Sequence, residues 1–198
     1  MDVREQLKLA ALRVYAELGT RGATTKRIAQ QAGVNEVTLF RHFGSKDALM
    51  REAMEHGFAS LPTMTLPAQP VDPQEELTQW CRVHYEQLMM LRSSIRTAMG
   101  EHEEHPDRAR VMCERPIKLS NELTAYLQRL RAAGLASGDW NARAAAAMLM
   151  GALFTDAMGR DVMPERFPYV PREGLRHYVS LFLRAIDARP RKRSGRHE

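Results

Sequence analysis

The stretch TTKRIAQQAGVNEVTLFRHFGSKDAL, residues 24–49, decides the fold. Thr24 is a natural N-cap for a helix over Thr25 to Ala32, because its hydroxyl accepts from an otherwise unpaired N–H of the first turn. Gly33 ends that helix, and Asn35 caps the next, which runs to about Phe43. After Gly44, Ser45 caps a further helix, with Asp47 in the first turn where the helix dipole favours negative charge. Two short helices joined by a tight glycine turn set the second across the first, the geometry that lets a helix enter the major groove of DNA; the unit spans about residues 24–43. Ile28, Ala29, Ala32, Val34, Leu39 and Phe43 supply the apolar positions that lock the pair onto the preceding helix. What remains on the second helix, Glu36, Val37, Thr38, Phe40, Arg41 and His42, is too polar for a core and faces something else.

Upstream, Asp2 and Glu5 stand in capping-box spacing before a helix whose stripe is Leu7, Ala11, Val14 and Leu18, with Gly19 as a left-handed stop. Downstream, the run ASLPTMTLPAQPVDP (59–73) holds four prolines that no helix can continue. The expected domains are therefore 1–58, a proline-rich connection 59–73, a helical domain 74–188 and a basic tail 189–198. Within the helical domain, Leu77, Trp80, Cys81, His84, Leu88 and Leu91 make one helical stripe, and Leu119, Leu123, Tyr126, Leu127 and Leu130 another, which Pro116 should kink or start. Trp140 to Met158 is apolar on almost every face, which implies burial on two sides and hence a subunit interface. A proline-containing loop separates it from a last helix carrying Leu175, Tyr178, Val179, Phe182, Leu183 and Ile186. No strand-like alternation or internal repeat is present, so the pattern predicts an all-α protein of about nine helices.

Composition narrows the function less than the motif does. The 198 residues carry a net charge of +5. Residues 1–58 hold 9 Lys and Arg against 7 Asp and Glu, whereas 189–198 hold 5 against 1, so much of the excess is the tail. That tail reads as a solvated end or an auxiliary phosphate contact. The N-terminus mixes charge into its apolar residues, unlike a signal peptide or membrane span, and implies a cytoplasmic protein with no membrane partner. Cys81 and Cys113 lie in apolar helical patterns without metal-ligand or redox spacing and read as small core residues. The run Glu101 to His105 puts two imidazoles and three carboxylates in five residues, yet Pro106 follows at once and the run reads as an exposed helix end, so no metal is expected. There is no glycine-rich phosphate loop, nucleophile elbow or zinc-helix pair, so no catalytic residue, cofactor or enzyme activity is assigned.

Residues 3 to about 56 resemble the N-terminal DNA-binding domain of the TetR family of transcriptional regulators. The matching positions are Thr24, Ile28 and Ala29, then Ala32, Gly33 and Val34, then Thr38 to Phe43, and finally Ser45, Lys46 and Leu49. The resemblance implies that Thr25, Thr38, Phe40, His42 and Lys46 hold phosphates. It further implies that Lys26, Asn35, Glu36, Val37 and Thr38 reach base edges, with Arg41 on the same helix. Two positions depart from the family pattern. Phe40 stands where tyrosine is usual, removing a phenolic donor, and Val37 stands where a small residue is common. Both make the reading face more apolar, suited to thymine methyls, while Glu36 could accept from a cytosine amine.

The same resemblance implies that the C-terminal helices form a homodimer through the last two helices, at about Ala144 to Leu153 and Leu175 to Ile186. They would enclose a site for a small, largely apolar effector. Linkage then makes that effector weaken binding to a double-stranded, palindromic operator, as in a repressor. Candidate pocket residues are Trp80, His84, Tyr85, Met89, Met112, Leu123, Tyr126, Met148, Phe154 and Asp156. Asp156 would pair with a cationic ligand or sit near an exposed helix end. The competing class is a helical protein-interaction module whose three-helix head binds a protein and no DNA.

Overall fold

The computed structural model describes residues 1–101, 103 and 106–189, with the side chains of all of these except 58 and 106–112. Among the described residues the chain forms eight α-helices. They are α1 (Val3–Gly22), α2 (Thr25–Gln31), α3 (Glu36–Phe43), α4 (Lys46–Ala59), α5 (Pro73–Gly100), α6 (Pro106–Ala132), α7 (Ala142–Gly159) and α8 (Pro171–Ala185), with a 3₁₀ turn at Pro164–Arg166. The only β pairing among them is an isolated bridge between Ala136 and Ala188. The fold is all-α, with eight helices where the pattern predicts about nine. The chain divides into two compact units, Met1–Pro62 with Met90–Glu114, and Thr63–Met89 with Arg115–Glu198.

In the first unit, side-chain caps start the helices. Asp2 Oδ1 accepts from the Glu5 N–H at 2.7 Å, Thr24 Oγ1 from Arg27 at 3.3 Å, Asn35 Oδ1 from Thr38 at 2.8 Å and Ser45 Oγ from Ala48 at 3.1 Å. Each satisfies one N–H that the helix itself leaves unpaired. Leu7, Ala11, Val14, Ile28, Ala29, Leu39, Phe43, Leu49 and Met50 form one buried cluster, against which Ala32 and Val34 pack half-buried. Fully burying a leucine or isoleucine here contributes about 1.5–3 kcal/mol. The α1 stripe differs in one member: Leu18 is 49 % exposed, and Ala10 and Tyr15 fill the core instead. The helix interrupts itself at Gly19, whose φ of 66° and ψ of −173° lie in a region that essentially only glycine occupies, rather than in the left-handed helical well. A turn resumes beyond it, and the Ala23 N–H closes it on the Gly19 carbonyl at 2.9 Å.

In the second unit, Leu77, Trp80, Cys81 and Tyr85 from α5 meet Leu123, Tyr126, Leu127 and Leu130 from α6. The same cluster takes in Ala146, Leu149, Leu153 and Ala157 from α7, and Leu175, Val179, Phe182 and Leu183 from α8. The helical stripes of the sequence thus supply this core, with Leu88, Leu119 and Tyr178 half-buried at its edge, while Leu91 is half-buried and belongs to the first unit. Pro116 does not start its helix: α6 begins at Pro106, and Pro116 sits in the interior, where it removes one ladder hydrogen bond. Cys81 is buried, and burial pushes its thiol pKa up, but Cys113 is exposed and is no core residue. Asn141 caps α7, accepting from the Ala144 N–H at 3.0 Å. One side of α7 is buried, while Ala144, Ala147, Met148 and Gly151 on the other side are exposed in the single chain.

Candidate nucleic-acid interface

The α3 helix is eight residues long and buries only Leu39 and Phe43, one turn apart on one face. Its other face is open: Val37 is 75 % and Phe40 44 % exposed, and Arg41 is exposed beside them. Val37 and Phe40, three residues apart, and Arg41 thus share one open side of a short capped helix. Thr38 and His42 are half-buried on the flanks of that face.

Three side-chain contacts organise this surface. Asn35 Oδ1 accepts from both the N–H and the hydroxyl of Thr38, each at 2.8 Å, which leaves the amide nitrogen of an exposed side chain as a donor. The Thr25 hydroxyl donates to the Glu36 carboxylate, tying the start of α2 to the start of α3. Lys46 Nζ donates to the Thr20 carbonyl at 2.7 Å. Behind the surface, Arg4 donates to both Glu52 carboxylate oxygens at 2.8 and 2.7 Å and to the His42 carbonyl at 2.8 Å, with its guanidinium 4.5 Å from the Phe43 ring centroid. This clamp fixes the C-terminal end of α3 against α1 and α4.

All ten residues singled out for DNA lie on α2, α3 or the first turn of α4, or cap them: Thr25 and the exposed Lys26 on α2, Asn35 as the cap of α3, Glu36, Val37, Thr38, Phe40, Arg41 and His42 on α3, and Lys46 on α4. The Arg4 clamp and the Thr20 contact escape a reading of the motif, because their partners lie 26 to 48 residues away in sequence.

The ten residues considered for an effector separate into groups. Trp80, Tyr85, Leu123 and Tyr126 are buried core, and Met89 and Phe154 are half-buried. Met148 is 56 % exposed on the open side of α7, apart from the others, and the Met112 side chain lies outside the described residues. The Tyr126 hydroxyl donates to Glu76 at 2.6 Å, and burial together with that carboxylate raises its pKa. His84 is buried with its ring edge against Trp80, centroids 4.2 Å apart, and its Nδ1 lies 3.2 Å from Gln87 Oε1. Trp80 Nε1 and His84 Nε2 make no hydrogen bond among the described residues.

Asp156 departs from both expectations for it. Asp156 lies in the last turn of α7, but its carboxylate is only 1 % exposed, so the helix end it occupies is not an exposed one, and it is already neutralised within the protein. Arg160, one turn on, donates through Nε at 2.8 Å and Nη2 at 2.7 Å, while Tyr85 and Tyr178 donate at 2.8 and 2.6 Å. Burial pushes the Asp156 pKa up, but the bonds from Arg160, Tyr178 and Tyr85 outweigh it and hold the carboxyl below its ordinary value. Arg160 also donates to the carbonyls of Phe167 and Tyr169, so the same ion pair ties down the loop before α8. The i, i+4 spacing of Asp156 and Arg160 is the sequence signal that identifies this pair.

Of the Glu101 to His105 run, His102, Glu104 and His105 lie outside the described residues. Among the described residues, no helix is long and apolar enough to cross a membrane.

Residues 9–53 match the family model of bacterial regulatory proteins of the tetR family, and residues 86–185 match that of the C-terminal domain of AefR-like transcriptional repressors. The chain is 27 % identical over 180 residues, 90 % of its length and 94 % of the relative's, to the uncharacterized HTH-type transcriptional regulator YvkB of Bacillus subtilis. Its fold is similar to that of a TetR transcriptional regulator from Agrobacterium tumefaciens, with a TM-score of 0.73 at 18 % identity over 92 % of this chain and 93 % of the other. It is also similar to that of the fatty acid degradation regulator FadR from Bacillus halodurans, with a TM-score of 0.64 at 21 % identity over 94 % and 97 %.

Proposed function

Since this chain is a DNA-binding transcriptional regulator belonging to the TetR family, we propose that it is a homodimeric repressor, released from a palindromic operator by a small, largely apolar effector. The observation that carries the reading is the open face of α3, where Val37, Phe40 and Arg41 stand exposed on a helix capped at its start and clamped by Arg4 at its end. Val37 and Phe40 suit thymine methyls, and the Asn35 amide and Arg41 suit acceptor edges. Phosphate contacts fall to Thr38, His42 and Lys46 around that face, with Thr25 at the start of α2, while the exposed Lys26 beside it suits a base edge.

The open side of α7 supports the dimer. Ala144, Ala147, Met148 and Gly151 are small or flexible apolar residues that a second copy would cover, and a dimer places two α3 helices at half-sites about 34 Å or a multiple of it apart. An effector that prefers the conformer with mis-spaced heads lowers operator affinity by its coupling energy. The apolar cluster around Trp80, Tyr85 and Leu123 is the region suited to it.

Selection of bound duplexes from random DNA, followed by titration at several salt concentrations, tests the reading. The expected result is an enriched inverted repeat, lost by the T38A/H42A/K46A variant while the dimer persists. Equal binding to all duplexes removes the sequence-reading role of α3, and full function of the triple variant returns the protein to the class of interaction modules.

A further inference from the structure

The Lys46 side chain is held from a distance. Its ammonium donates to the Thr20 carbonyl, and Thr20 is itself gripped by Glu101, the residue that follows α5: the Thr20 N–H donates to Glu101 Oε1 at 2.8 Å and the Thr20 hydroxyl to Oε2 at 2.5 Å. Thr20 is 6 % exposed, so this is an enclosed contact rather than a surface pair. Gly19 makes it possible in two ways. Its backbone conformation breaks the α1 ladder just before Thr20 and turns that N–H to a side chain, and a Cβ at Gly19 would stand 2.8 Å from Glu101 Oε1. A conformation open essentially only to glycine, beside a carboxylate that leaves no room for a methyl, is a backbone shaped around Glu101.

We infer that Glu101 is a positioning residue for operator binding, acting through the Thr20 peptide to aim the Lys46 ammonium at a DNA phosphate. The inference rests on the reading of Lys46 as a phosphate contact. An ammonium on a four-carbon stem loses much rotamer freedom on binding, and holding it in place beforehand reduces that loss. Thr20 makes both sets of bonds, its N–H and hydroxyl to the carboxylate and its carbonyl to the ammonium, so fixing the residue from one side fixes the acceptor on the other. Glu101 itself is acidic and repels phosphate, so its benefit to DNA binding can come only through geometry.

That opposition supplies the test. Wild type, K46A, E101A, E101Q, T20V and the double variants E101A/K46A and T20V/K46A are titrated on the selected operator across a range of salt, with circular dichroism to verify folding. K46A should weaken binding about tenfold and reduce the salt slope of the dimer by about 1.8, the share of two neutralised phosphates, one per protomer. E101A should do the same in direction, weakening operator binding severalfold and flattening the slope, and each double variant should be no weaker than K46A alone. E101Q keeps an acceptor for the Thr20 N–H and a donor for its hydroxyl, and should bind as wild type or slightly tighter. T20V, which removes only the hydroxyl bond, should show a smaller loss in the same direction and carries the comparison if E101A does not fold. The inference is overturned if E101A and E101Q both tighten binding, which is a pure charge effect. It is also overturned if the losses from E101A or T20V add to that of K46A at unchanged slope, or if K46A leaves the slope unaltered. Failure of wild type to select any operator overturns the functional reading itself.

Discussion

The DNA-reading head and the helical unit around α7 hold their polar groups in opposite ways. On the reading surface, the capping bonds of Thr24, Asn35 and Ser45 each close within three residues. In the helical unit, the decisive bonds join residues far apart in the chain: Tyr85 to Asp156 across 71 residues, Leu66 to Glu122 across 56 and Tyr126 to Glu76 across 50. A local bond can form as soon as its own turn forms, whereas a distant one requires the surrounding helices to be packed first. The limits of the head's helices are therefore set locally, with the Arg4 and Glu101 contacts added across 38 to 81 residues, whereas the polar groups on the core faces of the helical unit depend on distant bonds.

The sharpest break should come at Asp156. Asp156→Ala leaves the Arg160 guanidinium with its largest partner gone in a site where its side chain is 16 % exposed, and deprives two tyrosine hydroxyls of their acceptor. The expected loss is about 3–5 kcal/mol of stability, read by chemical denaturation. Adding Arg160→Met should restore part of it. A loss below about 1 kcal/mol, the size of an exposed pair, would show that the network is ornamental and the contrast between the units mistaken.

Next in size is the open side of α7. Met148→Arg places a cation on a face that in one chain touches only solvent, so folding of the monomer should be nearly unchanged. If a second copy covers that face, the variant should sediment as a monomer where wild type is a dimer, and operator affinity should fall at least tenfold because a single head bears the full cost of binding alone. An intact dimer would place the interface elsewhere.

The head offers the smaller test. Asn35→Ala removes an oxygen that accepts twice from Thr38, and should cost about 1 kcal/mol in stability. The same variant should weaken operator binding further, since the amide is also placed to reach a base. A stability loss with unchanged affinity would assign Asn35 to capping alone.

This division explains what could be read in advance. Thr24, Gly33, Asn35, Gly44 and Ser45 act on neighbours in the chain, so the elements and their limits follow from spacing, as does the buried pair Leu39 and Phe43. In the helical unit the stripes show which faces are buried but not what a polar group on them meets. Asp156 looks like a stray carboxylate until α5 and α8 deliver Tyr85 and Tyr178 to it. Leu18 fails for a related reason: its place in the α1 stripe is correct, but the break at Gly19 ends the regular helix beside it and leaves it 49 % exposed. Thr20 carries no mark at all, because Glu101 lies 81 residues on.

The smallest effect is a pH dependence that belongs to the helical unit. His84 is 4 % exposed, and burial lowers its pKa below the ordinary 6.5, against the Gln87 bond, the nearby Glu122 and the Met64 main chain, which favour the charged ring, and with Arg115, which opposes it. A histidine kept neutral in the folded state takes up its proton more readily when unfolded, so stability should fall as pH drops below about 6.5 and level off below the folded pKa. Asp156 works in a separate window: its lowered pKa contributes stability above its ordinary value of 3.8 that is lost only in stronger acid. Denaturation midpoints between pH 7.5 and 5.5 should therefore decline with a slope on the order of 1 kcal/mol per pH unit at most, and His84→Gln should flatten that decline while leaving acid unfolding near pH 3–4 in place. Because no buried histidine lies among the described residues of the head, a local probe on the head should show no matching loss over the same interval. An equal decline in both units would mean that they unfold as one, and the contrast between local and distant closure would have no thermodynamic consequence.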